Sequence, residues 1–446
     1  MARKVFISFL GGTNYQYCDY QKDGVSYGNV RFIQEATLNY LNVNEKWTAN
    51  DVLMILLTKG ACDSNWVDNG QKNNKTGELI RDEITHGKLE GLETRLKQFN
   101  IKPCPVFGLP NGNDEKEIWE IFNMVFENVK EGDQLYFDIT HGFRYLPMLI
   151  LVLCNYSKFL KNVSIQSITY GNYEVAKELG HGTIVDLLPL SQLQDWTHAA
   201  ATYLDSGNSQ KLVEMKDVVV SEVLHKIIDM LNVVTKERQT CRGLQIHNSE
   251  NLKVLQELLS NYIKTKGEGN PEEGPLHQVL KKVDESLKVF DTKSNFMNGF
   301  YAAKWCVRNG LYQQAITLLR ENFVTLFCER HGLDIANREM REIVEFALAI
   351  QINHNESRQD RWLKLLPKPE DLTEDKKNKI ADVLSDDWIM PQGKHNNELI
   401  HLYKEIRDYR NNFNHAGFNT GASSPEVIEA QVNEFVNRAV NLFQKK

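Results

Sequence analysis

Apolar residues follow two different patterns along the chain, and the change comes near residue 190. Before it, short apolar runs alternate with amphipathic stretches, which predicts strands alternating with helices. The run VLMILLT at 52–58 is apolar throughout, as expected for a strand covered on both faces. The predicted strands are 5–10, 52–58, 106–109, 134–140, 164–170 and 180–189, the last as an antiparallel edge, and the predicted helices are 31–42, 77–99, 114–130 and 147–160.

After residue 190, apolar residues recur every three or four positions, which is typical of amphipathic helices. The predicted helices are 209–234, 250–264, 276–290, 296–330, 338–350, 396–414 and 425–443. We therefore predict an α/β domain over 1–190, Rossmann-like with a mostly parallel sheet, followed by an all-α domain over 191–446. Inserted segments are expected at about 330–395.

Charge and cysteine content narrow the function classes. The chain has 52 Lys and Arg against 59 Asp and Glu, a net charge of -7, so a nucleic-acid or nucleotide site must be a local concentration of positive charge. Seven cysteines without a Cys-x-x-Cys pair favour a reducing compartment and no zinc site. The longest apolar run, 146–154, is about half of a membrane span. We expect a cytoplasmic protein with no membrane contact and no metal or other cofactor.

Small and polar residues follow three of the predicted strands. In an open parallel sheet the carboxyl ends of the strands bind ligands, and small or polar residues there suit phosphate. The glycines of these segments do not have the spacing of the dinucleotide fingerprint Gly-x-Gly-x-x-Gly, and the sequence has no P-loop motif. The candidate ligand-binding residues are Gly11, Gly12, Thr13, Asn14, Lys59, Thr140, His141, Gly142 and Arg144.

Arg410 and His415 form a second candidate site, near the C-terminus. Arginine five residues before histidine suits metal-free RNA cleavage, in which histidine moves protons and arginine stabilises charge on the phosphate. The spacing also occurs at Arg81/His86 and Arg242/His247, so it is weak evidence by itself. Asn411 and Asn414 add hydrogen-bonding groups beside Arg410 and His415, and Gly417 is expected to end the helix.

Together these segments resemble the type III CRISPR accessory ribonucleases, which join a CRISPR-associated Rossmann-fold (CARF) sensor domain to a C-terminal HEPN nuclease domain. The resemblance is carried by FISFLGGTNY at 6–15, DITHGFR at 138–144 and Arg410-Asn411-x-x-x-His415. The segment GLYQQAITLLR at 310–320 also resembles a recurring helix of these nuclease domains.

The resemblance implies a sensor and a nuclease. A cyclic oligoadenylate, expected to be the tetra-adenylate, would bind across the twofold axis of a homodimer or higher homo-oligomer, through the candidate ligand-binding residues above. The paired HEPN domains would cut single-stranded RNA without metal, with Arg410 and His415 as catalytic residues supported by Asn411 and Asn414.

Two alternatives remain open. The sensor pocket could itself cleave its cyclic activator, as a ring nuclease does, since Thr140 and His141 lie at the required strand end. The chain could also be a nucleotide-binding regulator without enzymatic activity.

Overall fold

The chain divides into two compact units, Met1–Gln192 and Leu193–Lys446. The computed structural model describes residues 2–73, 75–218, 221–265, 273–354, 359–365, 372–389, 398–414 and 423–444. The first unit contains the sheet, and the described residues of the second unit are helical. This arrangement confirms the α/β fold followed by helices.

Eight strands form one sheet in the first unit, in the order β3-β2-β8-β7-β6-β1-β4-β5. The central strand β1 pairs in parallel with β4 on one side and β6 on the other. The antiparallel pairs are β2 with β3 and β7 with β8, so the sheet is mixed but mostly parallel. The strands are Lys4–Leu10 (β1), Cys18–Lys22 (β2), Val25–Val30 (β3), Val52–Thr58 (β4), Pro103–Leu109 (β5), Gln134–Asp138 (β6), Ser164–Asn172 (β7) and Gly182–Asp186 (β8).

The prediction of an edge strand at 180–189 is wrong. Strand β8 is antiparallel to β7, as expected, but it also pairs in parallel with β2 and therefore lies inside the sheet. The edge strand on this side of the sheet is β3, which belongs to the β2–β3 hairpin. Asp23 and Gly24 connect its strands with φ values of 53° and 79°, as a tight hairpin turn requires.

The helix predicted over 77–99 is also wrong. Within that range only Leu92–Arg95 is α-helical, and turns precede it. The Asp82 carboxylate accepts hydrogen bonds from the backbone N–H groups of Ile84, at 3.0 Å, and Thr85, at 2.7 Å. A short polar side chain that bonds to its own backbone competes with helix formation, and this accounts for the difference.

Side chains of β1 alternate between two hydrophobic layers, one on each face of the sheet. Val5, Ile7 and Phe9 pack into one layer, whereas Phe6 and Leu10 pack into the other. The helices of this unit are Ile33–Tyr40 (α1), Val43–Lys46 (α2), Lys59–Ala61 (α3), Leu92–Arg95 (α4), Glu115–Asn128 (α5), Leu146–Lys161 (α6) and Ala176–Leu179 (α7).

The second unit packs its helices around a core of aromatic and aliphatic side chains. Phe300 lies 5.2 Å from Phe323, and Phe323 lies 5.8 Å from Tyr403, measured between ring centres. The helix predicted over 296–330 is two helices, because the chain turns at Gly310, whose φ is 72°. The remaining helices are Leu188–Ser206 (α8), Gln210–Glu214 (α9), Glu222–Gln239 (α10), Gly243–Asn248 (α11), Glu250–Thr265 (α12), Glu273–Leu287 (α13), Met297–Arg308 (α14), Tyr312–Arg330 (α15), Arg338–His354 (α16), Gln359–Trp362 (α17), Glu374–Leu384 (α18), Glu398–Asn414 (α19) and Pro425–Gln444 (α20).

Candidate functional site

The strand order defines a switch point at β1. After the β2–β3 hairpin the chain passes to β4 and β5 on one side of β1 and then returns to β6 on the other side. Ser8 of β1 is in register with Asp138 of β6, so the segments that follow these two strands leave the sheet at the same edge. Ligands of open α/β sheets bind outside the carboxyl ends of the strands at such a point. The predicted residues at 11–14 and 140–144 are therefore close neighbours.

The buried side chain of Asn65 holds the segment that follows β1. Its Nδ2 group donates to the carbonyl oxygens of Gly11, at 2.8 Å, and Thr13, at 2.7 Å. Its Oδ1 atom accepts from Arg31 Nη2, at 2.8 Å, and from Gln71 Nε2, at 3.1 Å. Asn65 is fully buried, and all these bonds are internal to the protein. The β1 loop is therefore fixed before any ligand arrives.

Asp138, the last residue of β6, organises the second loop. Its carboxylate accepts from Ser8 Oγ at 2.7 Å, from the Thr140 backbone N–H at 3.1 Å and from Thr140 Oγ1 at 2.5 Å. Thr140 Oγ1 in turn accepts from the Gly171 backbone N–H at 2.7 Å. Burial raises the pKa of Asp138, whereas these hydrogen bonds oppose the rise. Since the Thr140 hydroxyl is already used within the protein, its first role is to position the loop.

Two glycines of these loops lie close to neighbouring side chains. A Cβ on Gly142 would overlap the Leu146 side chain, and Gly142 has a φ of 129°, which L side chains rarely adopt. A Cβ on Gly11 would overlap the Tyr15 hydroxyl oxygen. By contrast, Gly12 is exposed, and its nearest neighbour across the gap is the backbone of Gly60. The backbone conformation thus favours glycine at 142, and a side chain at 11 would displace the Tyr15 ring.

His141 stacks on Tyr15, with 4.3 Å between ring centres and 27° between ring planes. Burial lowers the pKa of His141 to about 4, so the imidazole is neutral at physiological pH. Burial raises the pKa of Tyr15 to about 12, so this ring is neutral as well. The two loops are joined by an uncharged aromatic pair.

Positive charge at this edge comes from Lys59 and Arg144. Lys59 follows β4, where the Thr58 hydroxyl accepts a hydrogen bond from the Ala61 backbone N–H at 3.2 Å. Arg144 follows the β6 loop and precedes Pro147, which lies in the first turn of α6 as predicted. Both cations are exposed, and neither makes an ion pair within the part of the chain that the structure describes.

Sequence reasoning missed the residues that support the two loops. Asn65, Gln71 and Ser8 come from separate elements, and none stands beside the loop that it holds. Gln71 Nε2 also donates to the Gly12 carbonyl oxygen at 3.3 Å, across 59 positions of sequence. A local signal existed only for Asp138, a charged residue at the end of an apolar strand.

In the second unit, Arg410 lies near the end of α19, and aromatic packing fixes the helix there. Tyr409 contacts Phe413 and Phe435, with ring centres 5.7 and 5.5 Å apart. The Arg410 Nε atom is buried and has no hydrogen-bond partner among the described residues. Asn411 is exposed. The predicted catalytic His415 and the side chain of Asn414 lie outside the described residues.

Among the described residues, His, Cys, Asp and Glu form no group of three that could hold a metal ion. In the same part of the chain, none of the helices has the length and apolar character needed to cross a bilayer.

The chain is similar in sequence to a protein family and to a curated protein. Residues 5–174 match the sequence profile of the family described as CRISPR system endoribonuclease Csx1, CARF domain. The chain is also 31% identical over 296 residues to CRISPR-associated protein MJ1674 of Methanocaldococcus jannaschii, a match that covers 62% of this chain and 43% of the relative. The chain thus spans less than half the length of that relative. The first unit is therefore similar to the CARF domain of Csx1, and the chain is similar to a CRISPR-associated protein.

One solved structure is similar over the whole chain. Enterococcus italicus Csm6, bound to cyclic hexa-2'-fluoro-hexa-dAMP, is 11% identical, with a TM-score of 0.41. The alignment covers 100% of this chain and 95% of the other.

Proposed function

We propose that this chain is an endoribonuclease of type III CRISPR defence, cytoplasmic, activated by a cyclic oligoadenylate and independent of metal. Residues 1–190 are the sensor and residues 191–446 the HEPN nuclease. The single observation that carries the proposal is the match of 5–174 to the Csx1 CARF domain, on a sheet whose β1 and β6 loops meet at the switch point. The residues of these loops have the charge and the aromatic rings that a cyclic oligoadenylate needs.

The sensor site offers complementary groups for adenine and phosphate. Exposed Lys59 and Arg144 supply the positive charge that a phosphodiester ring requires, and an arginine can bind phosphate with two parallel hydrogen bonds. The neutral Tyr15–His141 pair, which joins the two loops, supplies aromatic surface. Because internal hydrogen bonds already fix both loops, ligand binding need not order them, which favours affinity.

Helix α6 supports the homodimer part of the proposal. It begins at Leu146, directly after the candidate ligand site, and its outer face is apolar. Met148, Val152 and Phe159 are 71%, 51% and 85% exposed, and they recur with the period of one helix face. An apolar patch of this kind on a protein surface marks an interaction site. If a second copy covers it across a twofold axis, the two ligand sites lie near each other at the same end of the paired helices.

The nuclease part depends on Arg410 and His415. In the proposed mechanism His415 takes the proton of the RNA 2′-hydroxyl or protonates the leaving 5′-oxygen, and Arg410 stabilises the charge on the phosphate. The complete site is proposed to combine the equivalent segments of two protomers. The buried Arg410 Nε atom, which has no hydrogen-bond partner among the described residues, supports a role in binding phosphate.

A titration of cyclic tri-, tetra- and hexa-adenylate against a fluorogenic RNA in EDTA tests the proposal. One ring, expected to be the tetra-adenylate, should activate cleavage, whereas linear oligoadenylates and an all-deoxy substrate should give none. The products should carry a cyclic phosphate and a 5′-hydroxyl, since the 2′-hydroxyl is the nucleophile. Chromatography of the recovered activator measures ring-nuclease activity separately. Loss of cleavage in EDTA, or cleavage of DNA, would contradict the mechanism.

A further inference from the structure

A cavity of about 560 Å³ lies among α13, α14 and α20 of the second unit, on described residues only. Its volume falls in the range of about 300–1,000 Å³ that small-ligand pockets have. None of the residues assigned above to ligand binding or catalysis lines it. Its lining includes two cations and two aromatic rings of α14 and two amides of α20, beside valines, a serine and a glutamate.

Two cations mark the rim. Lys304 and Arg308 lie one turn apart on α14, both exposed, and neither has a carboxylate partner within the described residues. By comparison, Arg330 pairs with Asp386 at 2.9 Å, and Arg341 pairs with Glu321 at 2.8 Å. The charges of Lys304 and Arg308 are thus available to an anionic ligand. Among the lining residues, Glu285 alone carries a negative charge.

Aromatic rings lie on the same helix, inside the rim. Tyr301 is one turn from Trp305, and both line the cavity. The Tyr301 ring makes an edge contact with Phe290 at 6.3 Å, and the guanidinium of Arg238 lies 5.5 Å from the Trp305 ring centre. These contacts hold the rings in place while part of each side chain stays exposed. Fixed rings of this kind provide stacking surfaces for bases.

Helix α20 contributes two amides, Asn433 and Asn437, again one turn apart. Asn433 Nδ2 donates to the Glu429 carbonyl oxygen at 3.1 Å, and its Oδ1 atom remains as an acceptor. Asn437 is exposed, and its amide has no partner among the described residues. A side-chain amide presents a donor and an acceptor together, which matches the edge of a nucleobase.

We propose that this cavity binds a nucleotide of single-stranded RNA. Lys304 and Arg308 contact two consecutive phosphates, Tyr301 or Trp305 stacks on the base, and Asn437 reads the base edge. A positively charged groove with interleaved aromatic rings is the common solution for single-stranded nucleic acid. The inference rests on the proposed function for its ligand class: the cavity holds part of the substrate strand away from the cleavage centre.

The test is a binding assay that needs no cleavage. Fluorescein-labelled 2′-O-methyl RNA is titrated with the full-length wild-type chain and with the double variant Lys304→Gln/Arg308→Gln, at 50 to 300 mM salt. Glutamine keeps part of the length of each side chain and removes its positive charge. Each phosphate contact contributes about 0.7 to the slope of log affinity against log salt for single strands, so the variant's slope should be shallower by about 1.4. At 150 mM salt its affinity should fall about tenfold.

A matched control is Lys281→Gln/Lys282→Gln, which removes two exposed charges of α13 that do not line the cavity. Its slope should equal that of the wild type. Equal slopes in the cavity variant and the control, or no binding by the wild type, would overturn the inference. If only the cavity variant loses binding while the wild type fails to cut RNA, the inference stands and the proposed nuclease fails. If the wild type cuts RNA and the cavity variant binds RNA normally, the proposed nuclease stands and the inference about the cavity fails.

A second variant tests base reading. Asn433→Ala/Asn437→Ala should bind RNA with an unchanged salt slope but with a smaller difference between oligo-adenylate and oligo-uridylate. An unchanged difference would remove the amides from the proposal.

Discussion

Asn65→Asp should loosen the β1 loop without changing the volume of the side chain. The substitution replaces the Nδ2 donor by a carboxylate oxygen, which faces the carbonyl oxygens of Gly11 and Thr13 at distances of 2.8 and 2.7 Å in the wild type. The acceptor that receives the Arg31 and Gln71 hydrogen bonds is kept. Two hydrogen bonds at about 0.5–1.5 kcal/mol each, plus repulsion between oxygens, predict a loss of about 2–4 kcal/mol.

Two assays measure the consequence. In a domain of this size each kcal/mol shifts Tm by about 2–4 °C, so thermal unfolding should detect the change. The displaced loop should also raise the concentration of cyclic oligoadenylate for half-maximal binding about tenfold, equivalent to about 1.4 kcal/mol. Isothermal titration calorimetry measures this without reference to RNA cleavage.

Asn100→Asp is the matched control, because Asn100 is exposed and its substitution introduces the same negative charge into the same unit. It should leave both Tm and activator affinity near wild type. Wild-type values of both quantities in Asn65→Asp would refute the reasoning that this side chain holds the loop. A lower Tm with unchanged affinity would mean that the β1 loop does not contact the activator.

Three further predictions concern the sensor and nuclease residues. Arg144→Ala should raise the activator concentration for half-maximal cleavage about tenfold and leave Tm unchanged, because the substitution removes an exposed side chain and no core volume. An unchanged titration would mean that Arg144 is not part of the ligand site. Burial lowers the pKa of His141 to about 4 in the folded chain. The unfolded chain protonates this histidine near pH 6.5, whereas the folded chain protonates it only near pH 4. The free energy of unfolding should therefore fall by about 2–3 kcal/mol as the pH drops through that interval, and His141→Gln should flatten this part of the urea-unfolding profile. Arg410→Ala and His415→Ala should each lower the cleavage rate about 10²- to 10⁴-fold with activator affinity intact, and mixing the two inactive chains should restore part of the activity if two protomers share the site.

The parallel core of the sheet could be predicted from sequence because its strands are apolar throughout. Strand β4 (VLMILLT) has five buried residues in succession, which follows from helices covering both faces. Strand β2 (CDYQK) and its partner β3 escaped the prediction, since polar residues interrupt both and only one face is buried. The turn at Asp23-Gly24 was the available signal for this hairpin, because Asp-Gly favours the positive φ values observed there.

The position of the ligand-facing loops could be predicted, but the support beneath them could not. A general rule about strand ends locates Gly11 and Thr140 without any knowledge of tertiary contacts. Asn65 lies 54 positions from Gly11 in sequence, and an asparagine in a polar stretch gives no sign that folding will bury it completely. Local sequence patterns predict burial for apolar residues only. A buried polar residue is recognised only when its partners are known.

Buried polar groups hold both loops in addition to the Tyr15–His141 stack, and this bears on how a ligand acts on the loops. Asn65 and Asp138 satisfy several donors and acceptors at once, and loosening either loop would break more than one hydrogen bond in a buried setting. A ligand at these strand ends therefore meets loops with one well-defined conformation. Its binding energy is then available to change what lies next to the loops. Helix α6, which starts at Leu146 and carries exposed Met148 and Phe159, is the neighbouring element whose apolar face has no partner within the described residues. If α6 pairs with a second copy, as proposed, ligand binding at the start of this helix would change the subunit interface, because the loops themselves keep their conformation.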